Sequence, residues 1–325
     1  MKQFDLAALW DRSYNSYNAG FVVVKPTLFS FRVYEMIQYI TTSSKITTDQ
    51  EALKKAIVKL KHEKNGFNVT VLDRNIFMSG HQYFEHNSRL LPRAGDPCCY
   101  IDTLNCSVLV VHNNWIVGKE AKIYRFREHF MWLYDGENEY YSSHSQRYVT
   151  YRNAMPIANT NLSLLQVKQS TERQISALKT ALTIGYLLNR VVILPKFYCN
   201  RGAFQCPLNS LIHMKTFDSH FLNLYRESSF LLNPKVPNVV KKNVLNLPLF
   251  LYATRVLVSD KISTIGSDNI IRLFQNVKEK VINFDILDRV QVTVINQSIA
   301  AIFNNKIQNA FRLSDYRQRK KGELL

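Results

Sequence analysis

The chain has 325 residues, and its 42 Lys+Arg against 25 Asp+Glu give a formal net charge of +17. Hydrophobic residues make up 46% and charged residues 21%, a balance that excludes a disordered, collagen-like or coiled-coil chain. The longest apolar run, Leu247–Ala253, contains Pro248 and is far shorter than the roughly 20 residues of a membrane span. The basic excess is uneven: residues 151–325 carry 24 basic and 10 acidic side chains, against 18 and 15 in residues 1–150. Such a half suits an anionic ligand, an anionic surface or no partner at all. No finger spacing, aromatic RNP strand or Gly-rich KH loop accompanies it, so no specific nucleic-acid partner is expected.

In chain order, Trp10–Ala19 reads as polar and turn-like. Gly20–Lys25, with Val22, Val23 and Val24 in succession, reads as a strand buried on both faces and stopped by Pro26. Phe31, Tyr34, Met36, Ile37 and Ile40 recur at helical spacing over Leu28–Ile40. Thr41–Thr48 is a polar loop, after which Asp49 opens a helix whose apolar face is Leu53, Ile57 and Leu60. Asn68–Leu72 and Ser107–Val111 read as strands, the second leading into His112-Asn113-Asn114-Trp115. In α/β proteins the carboxyl end of a strand is where ligand groups gather. Ala121–Leu133 reads as a helix, and the polar stretch Asp135–Arg147 as an exposed boundary between domains at 1–147 and 148–325.

The second half restarts as an amphipathic helix, Ser170–Leu188, and turns through Asn189-Arg190 into an all-apolar strand, Val191–Leu194. Thr254–Ser259 and Arg289–Ile295 are further strand candidates, and Ser267–Val281 and Ile299–Phe311 further helices. Cys199 and Cys206 bracket a short loop that a disulfide is able to close. Asn-x-Ser/Thr triplets stand at Asn68, Asn105, Asn161 and Asn296, and together with that loop they lean towards a secretory lumen.

Gly-rich phosphate loops, a Gly-x-Ser-x-Gly elbow and HExxH are all absent from the sequence, which removes the simplest dehydrogenase, kinase, hydrolase and zincin readings. Three groups of residues remain. Asn18-Ala19-Gly20 is either a tight turn or a carboxamide placed to bond a sugar hydroxyl. Asp49-Gln50 is either a helix-terminal pair or a carboxylate and amide aimed into a sugar pocket, where negative charge stabilises an oxocarbenium-like transition state. His112, followed by Gly118, Lys119 and Lys122, is either a strand-end histidine or an imidazole for a divalent metal beside cations for a diphosphate.

Taken in order, Tyr17-Asn18-Ala19-Gly20-Phe21, Lys25-Pro26-Thr27, Thr48-Asp49-Gln50 and Val110-Val111-His112-Asn113-Asn114-Trp115 with Gly118, Lys122 and Trp132 resemble one family. The resemblance is to the nucleotide-diphospho-sugar transferase domain, relatives of which include plant cell-wall arabinosyl-, xylosyl- and galactosyltransferases. It covers roughly residues 14–133. A later segment, Leu187–Phe197 with Cys199 and Cys206, resembles one that some family members carry after the transferase domain.

The resemblance implies an α/β fold: the C-terminal half of a GT-A-like domain followed by a second α/β domain. It implies a retaining, manganese-dependent glycosyltransferase of the Golgi lumen that moves a sugar from a nucleotide-sugar donor to a glycan or glycoprotein. Asn18 and Gly20 would line the donor sugar, Asp49 and Gln50 would be catalytic, His112 would ligate the metal, and Gly118 and Lys122 would meet the diphosphate. Two departures stand out: no Asp-x-Asp occurs in the sequence, and Lys54 replaces the asparagine of the family's D-Q-x-x-x-N. They lead to the expectation of a chain lacking its N-terminal donor-binding half and membrane anchor. The alternative is a non-catalytic, carbohydrate- or partner-binding relative.

Overall fold

The computed structural model describes residues 4–11, 15–43, 48–63, 67–86, 108–136, 139–153, 163–199, 204–247, 263–288 and 290–322. They form two units, Met1–Val117 and Gly118–Leu325, a division that falls earlier in the chain than the polar stretch 135–147.

In the first unit, β1 (Leu6–Asp11) pairs antiparallel with β2 (Ser16–Val24) and parallel with β3 (Val69–Val71), giving the order β2-β1-β3. Two helices, α1 (Leu28–Ser43) and α2 (Asp49–His62), cover this sheet. Leu6 and Ala8 of β1 meet Val33 of α1 and Leu53, Ala56, Ile57 and Leu60 of α2 in one core. The α2 stripe sits where its sequence spacing puts it. Thr48 caps the helix by accepting from the Glu51 N–H, and Asp49 and Glu51 lie in its first turn, where the helix dipole favours acids. Further along, β4 (Phe77–Ser79) and β5 (Val110–His112) form a parallel pair.

Two expectations for this unit change. Most of Trp10–Ala19 is strand and not turn: Trp10 and Asp11 belong to β1, and Ser16–Ala19 to β2. The Val22–Val24 run is an outer strand, with Val22 and Val24 half-buried and Val23 exposed, because β1 occupies the middle of the sheet.

The second unit centres on an all-parallel five-stranded sheet, ordered β10-β7-β6-β13-β11. Its early elements are α3 (Lys119–Glu128), β6 (Tyr148–Arg152), α4 (Leu164–Leu187) and β7 (Val191–Ile193). Then come the hairpin β8 (Phe197–Cys199) and β9 (Phe204–Cys206), α5 (Met214–Phe221) and β10 (Tyr225–Arg226). The remainder is α6 (Asn238–Lys242), β11 (Val244–Asn246), β12 (Ser263–Gly266), α7 (Ser267–Phe274), β13 (Val281–Ile286), β14 (Val290–Thr293) and α8 (Gln297–Gly322). β12 and β14 make a separate parallel pair.

As expected, β7 is buried throughout and follows directly on α4, which packs across β6, β7 and β14. The Cys199–Cys206 disulfide closes the β8–β9 hairpin. Among the described residues no helix is long and apolar enough to cross a membrane.

Three further expectations are corrected. The helix from Lys119 stops at Glu128 and does not reach Leu133, because Phe130 turns to a positive φ of 57°. α7 ends at Phe274, and Val281 opens a strand. Residues 135–147 are not all exposed: Asp135 and Tyr141 are buried, the latter in a core with Tyr148, Val191, Ile193 and Phe230. The strand expected at Thr254–Ser259 and the triplets at Asn105 and Asn161 lie outside the described residues.

Candidate functional site

Register between β1 and β2 breaks once: Ala8 faces Val22, whereas the next residue, Leu9, faces Asn18. Ala19, Gly20 and Phe21 are therefore extra on β2 and form a bulge, a device that re-aims side chains at the rims of sheets. The Asn18 side chain folds over it, its Oδ1 accepting from the Gly20 N–H at 2.8 Å. Gln50, in the first turn of α2, holds the bulge from the other side. Its Oε1 accepts from the Ala19 N–H at 2.8 Å and its Nε2 donates to the Tyr17 carbonyl.

His112 ends β5, and its imidazole lies directly on Gly20: a Cβ at that position would overlap Nε2 and Cε1 of the ring. The same Cβ would come within 3.0 Å of Asn18 Oδ1. Glycine is thus dictated here by close approach. Nearby, the Asn114 carboxamide oxygen accepts from the Gly80 N–H at 2.7 Å, tying the segment after β5 to the segment after β4. Phe21 stacks on Phe77 at 5.7 Å between ring centroids, joining the bulge to β4.

Asn18, Gly20, Gln50 and His112, separate in sequence, are brought together in the first unit. Asp49 is exposed at the start of α2, its Oδ1 accepting from the Gln50 N–H at 2.8 Å. Gln50 departs from the expected amide aimed into a sugar pocket, because both ends of its amide are bonded to the bulge backbone. Gly118 and Lys122 belong to the second unit. Gly118 precedes α3 with φ of 97°, a left-handed value that favours glycine, and Lys122 is exposed in the first turn.

A divalent cation at His112 would require oxygen donors beside the imidazole. Among the described residues no group of three or more His, Cys, Asp or Glu comes together, and Asn18 Oδ1 is already bonded to Gly20. Among the described residues His112 does not gather the further donors that a manganese site needs.

The second unit holds buried carboxylates that no sequence pattern marked. Glu227, fully buried just past β10, accepts from the Tyr140 and Tyr141 hydroxyls at 2.8 and 2.9 Å, and burial pushes its carboxyl up. Glu128 accepts from Tyr124 at 3.0 Å and Ser228 at 3.1 Å, and burial raises it to about 7. Arg127 pairs with buried Asp135 through two hydrogen bonds of 2.6 and 2.8 Å. The guanidinium groups of Arg127 and Arg226 lie 4.3 and 4.1 Å from the centroid of the Tyr140 ring. Buried charge demands partners of this kind, and the network ties Asp135 to α3 and Tyr140 and Tyr141 to the residue after β10. The signal in sequence was the Tyr140-Tyr141 pair within an otherwise polar stretch.

Comparison with known proteins bears on the same segment. Residues 4–126 match the nucleotide-diphospho-sugar transferase family. The arabinosyltransferase XEG113 of Arabidopsis thaliana is 27% identical over 213 residues, which is 56% of this chain and 30% of the relative. The chain therefore spans less than a third of that curated relative's length. No solved structure matches it. The matched segment contains the bulge, the α2 clamp and the imidazole over Gly20. Over residues 4–126 this chain is similar to the nucleotide-diphospho-sugar transferase family.

Proposed function

We propose that the chain is part of a retaining glycosyltransferase that moves a sugar from a nucleotide-diphosphate donor to a glycan or glycoprotein hydroxyl. The supporting observation is the β2 bulge, where Asn18 and Gly20 are shaped by Gln50 and covered by His112, within the family segment. In this reading Asn18 and Gly20 border the donor sugar, and Gln50 positions them through the backbone of residues 17–19. The bond between the anomeric carbon and the diphosphate oxygen breaks, its electron pair leaving with the nucleoside diphosphate. A new bond forms to the acceptor oxygen, whose proton is released. Asp49, beside this bulge through Gln50, supplies negative charge as the anomeric carbon becomes cationic.

In the same reading His112 would be one ligand of a divalent cation, manganese, whose other donors the described residues do not supply, and Gly118 and Lys122 would meet the donor's diphosphate. Golgi-luminal residence belongs to the same proposal, supported by the Cys199–Cys206 disulfide.

A transfer assay on the full chain with nucleotide-sugar donors tests this reading, with Asp49→Asn beside wild type. The expected result is turnover that the variant lowers by one to two orders of magnitude while donor affinity holds. Nucleotide binding without transfer in wild type would favour the binding-protein alternative, and neither binding nor transfer would overturn the proposal.

A further inference from the structure

The two edges of the five-stranded parallel sheet differ. At the amino edge Arg190, 3% exposed, is consumed by backbone: its guanidinium donates to the carbonyls of Val277 at 2.6 Å, Glu279 at 2.8 Å and Tyr148 and Lys280 at 3.3 Å. That edge is closed. The carboxyl edge is polar where β6 meets β13, with Arg152, Asn153 and Asp285 at it.

This junction is also where the chain order reverses. From β6 the sheet runs through β7 to β10 on one side, while β13 and β11, later in the chain, occupy the other. In open parallel sheets the crevice at the carboxyl ends beside such a reversal is where ligands bind.

Three observations mark this crevice. First, β13 is bulged between Asn283 and Ile286, and Asp285 in the bulge has φ of 49°. A left-handed non-glycine residue is strained and persists only where its surroundings hold it. Second, Asp285 pairs with Arg152 of β6 in the open, their side chains 45% and 62% exposed. Solvent screening leaves so exposed a pair little stabilising effect, so it does not offset the strain that presents Asp285. Third, Asn153, the residue after β6, is 3% exposed and donates from Nδ2 to the Lys196 carbonyl at 3.0 Å. Its Oδ1 is buried with no hydrogen-bond partner among the described residues. An unmet buried acceptor is destabilising, and a ligand donor removes that cost.

We propose that the β6–β13 carboxyl edge is a ligand site for a phosphate ester carried beside vicinal hydroxyls, as in a sugar phosphate or a nucleoside diphosphate. The Arg152 guanidinium matches phosphate oxygens, the Asp285 carboxylate accepts from a pair of hydroxyls, and Asn153 Oδ1 accepts one further donor. The 24 basic against 10 acidic side chains of residues 151–325 favour an anion there.

Calorimetric titration of the full chain with ribose 5-phosphate, inorganic phosphate and UDP tests the site. Saturable binding of ribose 5-phosphate is expected, weakened at least tenfold by Arg152→Ala and partly restored by Arg152→Lys. Asp285→Asn should weaken ribose 5-phosphate at least fivefold and leave inorganic phosphate unchanged. Gly20→Ala, which disturbs only the first-unit bulge, should leave ribose 5-phosphate binding intact, so failure of the transferase reading and failure of this one are distinguishable. In the Gly20→Ala background, UDP binding tighter than ribose 5-phosphate identifies a nucleotide, and equal affinity identifies a sugar phosphate. Absence of saturable binding, wild-type affinity in Arg152→Ala, or inorganic phosphate binding as tightly as ribose 5-phosphate would each overturn the proposal.

Discussion

The His112 imidazole rests on the bare Cα of Gly20, so the end of β5 and the bulge of β2 occupy each other's space. The contact exists only because position 20 lacks a side chain. Gly20→Ala forces the ring or the bulge to move, at a cost of about 1–3 kcal/mol. The expected outcome is a lower midpoint in thermal unfolding of the first unit and, under the proposed function, at least tenfold weaker donor binding.

Gln50 stabilises the same bulge through Tyr17 and Ala19, so its removal should act through shape. Gln50→Ala leaves a backbone donor and acceptor unmet and should cost about 1–3 kcal/mol. Gln50→Glu keeps the acceptor for the Ala19 N–H but sets a carboxylate against the Tyr17 carbonyl. Denaturant unfolding should therefore rank wild type above Gln50→Glu. A group that only touches substrate would change KM and leave unfolding untouched.

Replacing His112 by alanine tests the metal assignment. If the imidazole is the protein's share of a divalent-cation site, UDP affinity should rise with manganese in wild type and not in His112→Ala. Calorimetry with and without manganese reads this, and equal affinities in the two proteins would remove His112 from that role.

Tyr141→Phe deletes one of two hydroxyls donating to the fully buried Glu227 carboxylate. Losing a partner to a buried charge costs about 1–3 kcal/mol, and the thermal midpoint should fall by about 2–8 °C. The same change on an exposed loop, as the sequence suggested for this stretch, would have no measurable effect.

Glu128 and His129 give the second unit opposed pH dependences. Burial raises Glu128 to about 7, so its contribution is full below the ordinary carboxylate range and is lost as pH rises through 7. Burial first, then Arg125, lowers His129 to about 4, so its contribution is full above the ordinary imidazole value and is lost as pH falls towards 4. In wild type the two oppose each other between about pH 4.5 and 6.5. Burial also raises Asp218 to about 6, so Glu128→Gln should not leave the histidine unopposed but should make denaturant stability rise more steeply with pH over that interval than in wild type. Identical profiles in wild type and variant would show that the Glu128 carboxyl does not titrate there.

What was legible in the sequence was local. Thr48, Asp49 and the Leu53–Ile57–Leu60 stripe specify α2 by themselves, and the apolar Val191–Ile193 after Asn189-Arg190 specifies a buried strand. What was missed depends on distant partners. β1, Leu6–Asp11, contains two alanines with little strand preference and becomes the central strand only because β2 and β3 flank it. β13 was hidden because no glycine or proline separates it from α7. Tyr140 and Tyr141 looked exposed because their acceptor, Glu227, lies far along the chain. The site divides the same way: the motifs around Asn18, Gln50 and His112 were visible one by one, whereas the imidazole over Gly20 is a product of folding.

The β2 bulge has a consequence for self-association. Among the described residues β2 is an outer strand that pairs on one side alone, and it carries Val22-Val23-Val24, the kind of edge that templates another chain. Three supernumerary residues beside that run break the straight ladder that a docking strand needs, and Asn18 occupies the Gly20 N–H. The irregularity that shapes the candidate site therefore also guards this edge against runaway β-pairing.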